Sequence, residues 1–411
     1  VKSIIFKIPE FPHLSETFIV AQIETAITLG YDVQILTRRL IETETSKIPS
    51  RILKYGLLDK VIVENYKIPK NKVLRLLKWV FLIVENFKSI KAIFKYHSEF
   101  SKFSLTWLYQ LHFYKQFNTA HAIHVQYGTN VNPLDVLKKV GFLKPSLIVT
   151  FHGHDVFFPI SGYIHNNGYY DNLFGFGNLI TANTPYLGDK ILKLGCPNEL
   201  LKLIPVGVDT DFFYPITSTQ NRKDVLRLIT VGRLEEVKGH KYCIEVVKTL
   251  VKQGNKVELT IIGEGSERLN LQAIIKEYQL EKHVNLLGAK SQEEVRSELC
   301  KHDVYLLLSV ISFNGLRESQ GLATLEAQAC GLPVIVFDSG GVKYTLKENH
   351  TGFICNEYDT EEVSLKVKEF IINPAKLNAM SDNAIEFVKN NFSQKVLNEK
   401  WRTIYQELNN G

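Results

Sequence analysis

Short runs of β-branched and other apolar residues recur along the chain, each followed by a longer stretch of helix-like character. In the first half the runs are Ile4–Ile8, Asp32–Leu36, Ala122–Tyr127, Leu147–His152 and Leu179–Asn183. In the second half they are Leu226–Gly232, Val257–Gly263, Val284–Gly288, Val304–Ser309, Pro333–Phe337 and Gly352–Asn356. They are continuously apolar and alternate with helices, the pattern of strands in parallel sheets covered on both faces. There are too many for one open sheet, and the series breaks at Pro205–Asp224, where Pro, Ser, Thr, Asn and Asp accumulate as in a linker. The pattern predicts an α/β protein of two doubly wound, Rossmann-like domains: 1–205, a linker at 206–224, and 225–388. The remaining 389–411 holds an amphipathic helix at Phe392–Leu408.

Length supports two domains, because 411 residues exceed one ordinary core. The net charge of +6 suits an anionic ligand or a negatively charged membrane face, and falls short of a nucleic-acid-binding signature. Five scattered cysteines with no CxxC pair point to reduced thiols. The first residues read as a strand and loop rather than a signal peptide, and no segment is long and apolar enough to span a bilayer. A cytoplasmic protein is expected. Asp209-Thr210-Asp211 reads as Asx-turn and capping chemistry, and His121 and His124 would point to opposite faces of a strand. Neither set predicts a metal.

Candidate chemistry concentrates in the second half. The stretch from Glu318 through Ser319-Gln320-Gly321-Leu322 to Glu326 lies between two strands, so it forms a loop and then a helix. Gly321 lets backbone approach a ligand, and the helix start presents N–H groups to an anion. Two carboxylates, Glu318 and Glu326 about two turns further on, can grip sugar and ribose hydroxyls. The plain alternative is an amphipathic helix with a solvated glutamate. A second segment, Gly232-Arg233 to Lys238-Gly239-His240, follows the first strand of the second domain. It places fixed positive charge at the carboxyl end of a sheet, where open α/β sheets bind ligands. An Arg and a Lys there stabilise a departing diphosphate more as its charge grows.

These segments, in this order, resemble the retaining family 4 glycosyltransferases of the GT-B fold, and the resemblance extends over most of the chain. It implies two domains facing a central cleft, with the closing helix crossing back onto the N-terminal domain. It puts Arg233 and Lys238 on the donor diphosphate, Glu318 on the transferred sugar and Glu326 on the ribose. Backbone around Gln320, Gly321 and Leu322 would touch sugar or phosphate, and Gly263, Gly288 and Ala289 would flank the base. His152, in Phe151-His-Gly-His-Asp155, matches the family's HGxD segment near the donor sugar. Residues 11–18, FPHLSETF, look like the FPxLSET stretch of members that build exopolysaccharide, colanic-acid-like polymers or lipopolysaccharide. Ser15, Glu16, Thr17 and Asp155 become candidates for acceptor contact, although Ser15 or Thr17 as a helix cap is the plain reading. Ser319, where many members have Gly, and the absence of an acid after Gly340-Gly341 depart from the pattern.

The resemblance implies transfer, with retention and without metal or cofactor, from a nucleotide-diphosphate sugar. UDP is preferred over GDP. The acceptor would be a saccharide, lipid-linked, in bacterial surface polysaccharide assembly. The alternatives are a non-catalytic scaffold of an assembly complex and a nicotinamide-dependent oxidoreductase. The latter is disfavoured because no GxGxxG follows the first strand. Segment 70–103 interleaves Lys and Arg with Leu, Ile, Phe and Trp79. It reads either as a basic amphipathic helix resting on the anionic inner face of the plasma membrane, or as a core-packed helix with a solvated basic face.

Overall fold

A computed structural model describes residues 2–12, 17–41, 49–99, 104–216 and 225–408. They form two compact units. The N-terminal unit comprises Val1–Ala182, Gly188–Leu203 and Trp401–Gly411; the C-terminal unit comprises Asn183–Leu187 and Ile204–Lys400.

The N-terminal sheet has strands β1 (Ser3–Phe11), β2 (Asp32–Leu40), β3 (Val61–Val63), β4 (Ala122–Gln126), β5 (Ser146–Phe151), β6 (Leu179–Ala182) and β7 (Leu201–Leu203). All pair in parallel, in the order β3-β2-β1-β4-β5-β6-β7. The C-terminal sheet has β8 (Leu226–Val231), β9 (Val257–Ile262), β10 (Val284–Gly288), β11 (Val304–Leu307), β12 (Val334–Phe337) and β13 (Gly352–Cys355). It too is parallel, ordered β10-β9-β8-β11-β12-β13. Every strand expected from the apolar runs is present. The two additional strands, β3 and β7, are half-buried or exposed edges of three residues, Val-Ile-Val and Leu-Lys-Leu, too short to stand out as strands in the sequence.

The strand order explains where ligands belong. The C-terminal sheet grows one way from β8 through β9 and the other way through β11. Loops leaving the carboxyl ends of β8 and β11 therefore diverge and open a crevice. Behind it, helix His240–Lys252 buries Cys243, Ile244, Val247 and Leu250 against Leu228, Leu259 and Leu306 of the sheet. That apolar stripe, at helical spacing, anchors the helix whose first residues complete the β8 loop.

Residues 206–216, expected as linker, are tied into the C-terminal unit. The Gln320 side chain both accepts from the Val206 amide and donates to its carbonyl, at 2.9 and 2.9 Å. Val208 forms a bridge with Ser393. Asp209 Oδ1 accepts from the Asp211 and Phe212 amides, an Asx turn. The closing helix spans Gln394–Glu407. From Trp401 onward it is part of the N-terminal unit, where the Tyr405 hydroxyl lies 3.1 Å from His124 Nδ1 and the Tyr405 carbonyl 3.1 Å from His121 Nε2. Both histidines thus hold this helix.

Candidate active site

The β8 loop is built around a glycine that nothing else can replace. Gly239 has φ +65°, and a Cβ there would overlap the carbonyl oxygen of Leu308. This close approach brings the β8 loop against the chain leaving β11. His240, the next residue, is buried and spans the loop: one ring nitrogen lies 3.1 Å from the Arg233 carbonyl and the other 3.5 Å from Thr230 Oγ1. Burial pushes its pKa down to about 4, so the imidazole is neutral at pH 7 and acts as a strut. Sequence reasoning quoted His240 without giving it this role; its place directly after the tight glycine was the available signal.

Arg233 is exposed, while Lys238 is half-buried and forms an ion pair with Glu318. Burial would raise the Glu318 pKa, but the charge and hydrogen bond of Lys238, the Gly321 amide and the charge of Arg233 together hold it below the ordinary range. The structure thus brings Arg233, Lys238 and Glu318, which are 85 positions apart at the extremes of the sequence, into one electrostatic group.

The Glu318 loop rests on a second glycine contact. A Cβ on Gly341 would overlap the Ser319 carbonyl oxygen, and the Gly341 amide donates to the Glu318 carbonyl at 2.8 Å. Ser319 is further held by Thr184, whose hydroxyl donates to the Ser319 carbonyl at 2.7 Å, and by Asn183, whose amide reaches Ser319 Oγ at 3.3 Å. The acid missing after Gly340-Gly341 therefore leaves intact the pair's support of the loop.

Helix Leu322–Ala329 is preceded by Gly321 at its N-cap, in the left-handed region, so Glu326 lies just over one turn into it. Glu326 is half-buried; burial, and then the charges of Glu326 and Glu318, raise the pKa of the Tyr305 hydroxyl. That hydroxyl donates to the Val231 carbonyl at 3.0 Å. Tyr305 therefore holds the end of β8, another role the sequence did not disclose. Gln320 is buried with its side chain committed to Val206, which leaves only its backbone for a ligand. Leu322 packs into the apolar core around Leu307 and Val342.

The glycine segments at β9 and β10 adjoin the same loop. The Gly232 amide donates to the Ile262 carbonyl at 2.9 Å, the Leu234 amide to Glu264 at 2.9 Å, and the Gly263 amide to the Gly288 carbonyl at 2.9 Å. They brace the Arg233 loop. Ala289, next along, is exposed.

In the N-terminal unit, His152 follows β5 half-buried, with Phe18 and Tyr127 rings at 4.8 and 4.6 Å. Its Nε2 is 2.8 Å from Gln126 Oε1, and the Gln126 amide donates to Gln22 Oε1 at 2.7 Å. Gln126 can then only accept from His152, which fixes the proton on Nε2. Burial, then the charge of His154, pushes the His152 pKa down to about 3; this ring offers a hydrogen bond, not a proton shuttle, at neutral pH. Asp155 is completely buried, and its carboxylate accepts from the amides of Gly128, His152 and Gly153 at 2.8, 3.2 and 2.9 Å. It clamps the loops after β4 and β5. Ser15 and Glu16, and the side chain of Thr17, lie outside the described residues.

Among the described residues no group of three or more His, Cys, Asp or Glu side chains is placed to hold a metal ion. The five cysteines are unpaired thiols. No helix among the described residues is long and apolar enough to cross a membrane.

Two Rossmann-like units of this topology are the arrangement of the GT-B fold. Residues 216–387 match the family model described as Glycosyl transferases group 1. Over those residues the chain is similar to that family, and its two units have the GT-B fold. It is 27% identical to WcaL of Escherichia coli (strain K12), a putative colanic acid biosynthesis glycosyltransferase, over 98% of this chain and 99% of that protein. It is 27% identical to the amylovoran biosynthesis glycosyltransferase AmsK of Erwinia amylovora, over 86% and 87% of the two chains. The Anabaena HepE structure in complex with UDP has the same fold, with TM-score 0.72 and 15% identity over 99% of this chain and 100% of HepE.

Proposed function

We propose that the chain transfers a hexosyl group, with retained configuration, from a nucleotide-diphosphate sugar to a lipid-linked saccharide during surface polysaccharide assembly. The observation that carries it is the Arg233–Lys238–Glu318 group at the β8/β11 reversal. A donor diphosphate would draw Lys238 away from Glu318 and place its negative charge against Lys238 and Arg233. Freed, Glu318 accepts hydrogen bonds from the sugar hydroxyls, and Glu326 does the same for the ribose. As the bond from the anomeric carbon to the diphosphate oxygen breaks, its electron pair goes to the diphosphate, whose growing charge the two cations meet in a pre-formed loop. The acceptor hydroxyl oxygen bonds to the anomeric carbon on the same face, and its proton passes to a donor phosphate oxygen. The two cations supply the charge that a divalent ion supplies elsewhere, so no metal is needed.

UDP is the preferred donor nucleotide, a reading supported by the UDP named in the HepE complex. The polymer setting is supported by the named roles of WcaL and AmsK, and an acceptor on a lipid carrier puts the reaction at the inner face of the plasma membrane. The test is calorimetry and slow donor hydrolysis against UDP-, GDP- and ADP-sugars, without metal and then with chelator. Chelator-resistant binding and sugar release from one UDP-sugar is expected. Binding only to a GDP- or ADP-sugar overturns the base; dependence on added metal overturns the two-cation mechanism. No binding at all favours the scaffold alternative.

A further inference from the structure

Helix Lys72–Glu85 is inverted relative to a core helix. Its inward face carries Arg75, Trp79, Leu82 and Asn86, the spacing of one helical stripe, and these are buried or half-buried. The stripe is fixed in place: the Tyr109 hydroxyl donates to the Arg75 carbonyl at 2.6 Å, and Asn86 Nδ2 sits 3.2 Å from His112 Nδ1. Both partners belong to helix Thr106–Lys115. The outward face has the same spacing, offset by two residues: Val73, Leu77, Val80 and Val84, exposed by 67, 62, 52 and 70%. Leu76 and Phe81 widen it on either side; beyond its end Phe87, in the turn Phe87–Ser89, and Phe94, on helix Ile90–Ser98, are exposed too. Because the inward stripe is pinned, the helix cannot roll to bury this apolar face.

Charge selects what covers it. Segment 70–98 has seven basic residues and one acidic residue, Glu85, a net charge of +6 that equals that of the whole chain. At 100° per residue, Lys72 and Lys78 flank the apolar stripe on its two sides. Pairing two copies through this face would set like charge against like. An anionic lipid surface instead accepts the apolar side chains to a depth of about 5–10 Å while its head groups meet the lysines.

We propose that the outward face of helix Lys72–Glu85, continued by Phe87 and Phe94, docks on an anionic bilayer. This adds a defined lipid-contact surface to the membrane location named above, and it holds whichever sugar is transferred. Its test reads lipid binding alone, so it fails or stands separately from the donor assay. The full chain is sedimented with phosphatidylcholine vesicles, with and without phosphatidylglycerol, at low and high salt, alongside the double variant Val80→Glu, Val84→Glu. Expected is binding to phosphatidylglycerol vesicles that weakens with salt and falls by at least ~10-fold in the variant, since both apolar burial and charge attraction are lost. Unchanged thermal unfolding confirms that the variant is folded, because both positions face outward. No binding of the natural chain to anionic vesicles, or equal binding by the variant, overturns the proposal. A dimer in light scattering that the same substitutions abolish also overturns it, and assigns the face to a second copy.

Discussion

Both sheets reverse their strand order beside their first strand, β1 in one unit and β8 in the other, yet they use ionisable groups differently at that place. In the C-terminal unit Arg233 is exposed, and Lys238 and Glu318 are half-buried partners on loops held by backbone contacts. In the N-terminal unit the comparable groups are consumed. Lys7 of β1 is buried, donates to the Asn132 carbonyl at 2.7 Å, and has its pKa pushed down to about 8 by burial. Glu64 accepts from Tyr66 and Tyr114, and Asp155 from three amides. One architecture thus carries two electrostatic designs: a charge group accessible to a ligand, and a buried network that rigidifies its surroundings.

The largest contrast is expected from Arg233→Ala. Its side chain is exposed and holds no part of the fold, so thermal unfolding should be unchanged while kcat falls by about 10²–10³-fold, the usual cost of losing one transition-state charge contact. Near-normal turnover in the folded variant would remove Arg233 from the mechanism and dissolve the contrast with the N-terminal unit.

Gly341→Ala should come next. Its backbone φ is −93°, which alanine adopts freely, so the effect is the collision of the new methyl with the Ser319 carbonyl and the Thr184 hydroxyl. Overpacking of this kind costs about 1–3 kcal/mol. Because the displaced backbone carries Glu318, turnover should fall by at least ~10-fold while nucleotide binding falls less, measured by calorimetry beside steady-state kinetics. Equal loss in both would mean the loop as a whole has collapsed.

In the N-terminal unit the counterpart is Asp155→Asn. Three amide donors now face one carbonyl oxygen and an NH2 group that cannot accept, a loss of about 1–3 kcal/mol in stability. Donor binding should be untouched. A stable Asp155→Asn protein with impaired turnover would reverse the assignment and make Asp155 a reactive group.

The same difference governs what could be read from the sequence. The strands are legible because fully buried parallel strands leave unbroken apolar runs, and the placement of Arg233, Lys238 and Glu318 in loops because such loops follow those strands. His240, Tyr305 and Thr184 were not legible. Each acts through a contact with backbone distant in sequence, and nothing in its neighbours marks that partner. Asp155 is ambiguous in sequence for the same reason: an acid after a strand looks alike whether it faces substrate or three buried amides. Segment 70–98 shows the reverse failure, since amphipathic periodicity says that a helix has two faces but not which of them is turned inward.

The smallest expected effect concerns acid. Burial holds His124 and His152 at about 3 and His240 at about 4, all below the ordinary histidine value of 6.5. Between those limits the unfolded chain binds protons that the folded chain refuses, so stability is complete above pH ~6.5 and falls as the pH drops toward the folded values. At pH ~5 each such histidine costs about 2 kcal/mol relative to neutral pH. Glu318 acts lower: its depressed pKa gives stability that is present above 4.5 and is lost as the pH falls through the folded value. Between pH ~6.5 and ~5 the histidines therefore dominate. His124→Gln can still accept from Tyr405 and donate to Thr150, while removing the proton site. It should flatten the decline in thermal stability between pH 7 and 5 without changing turnover. An unaltered pH profile would show that His124 is not the buried neutral strut that fastens the closing helix, and that the N-terminal unit's charges are less sequestered than the C-terminal unit's.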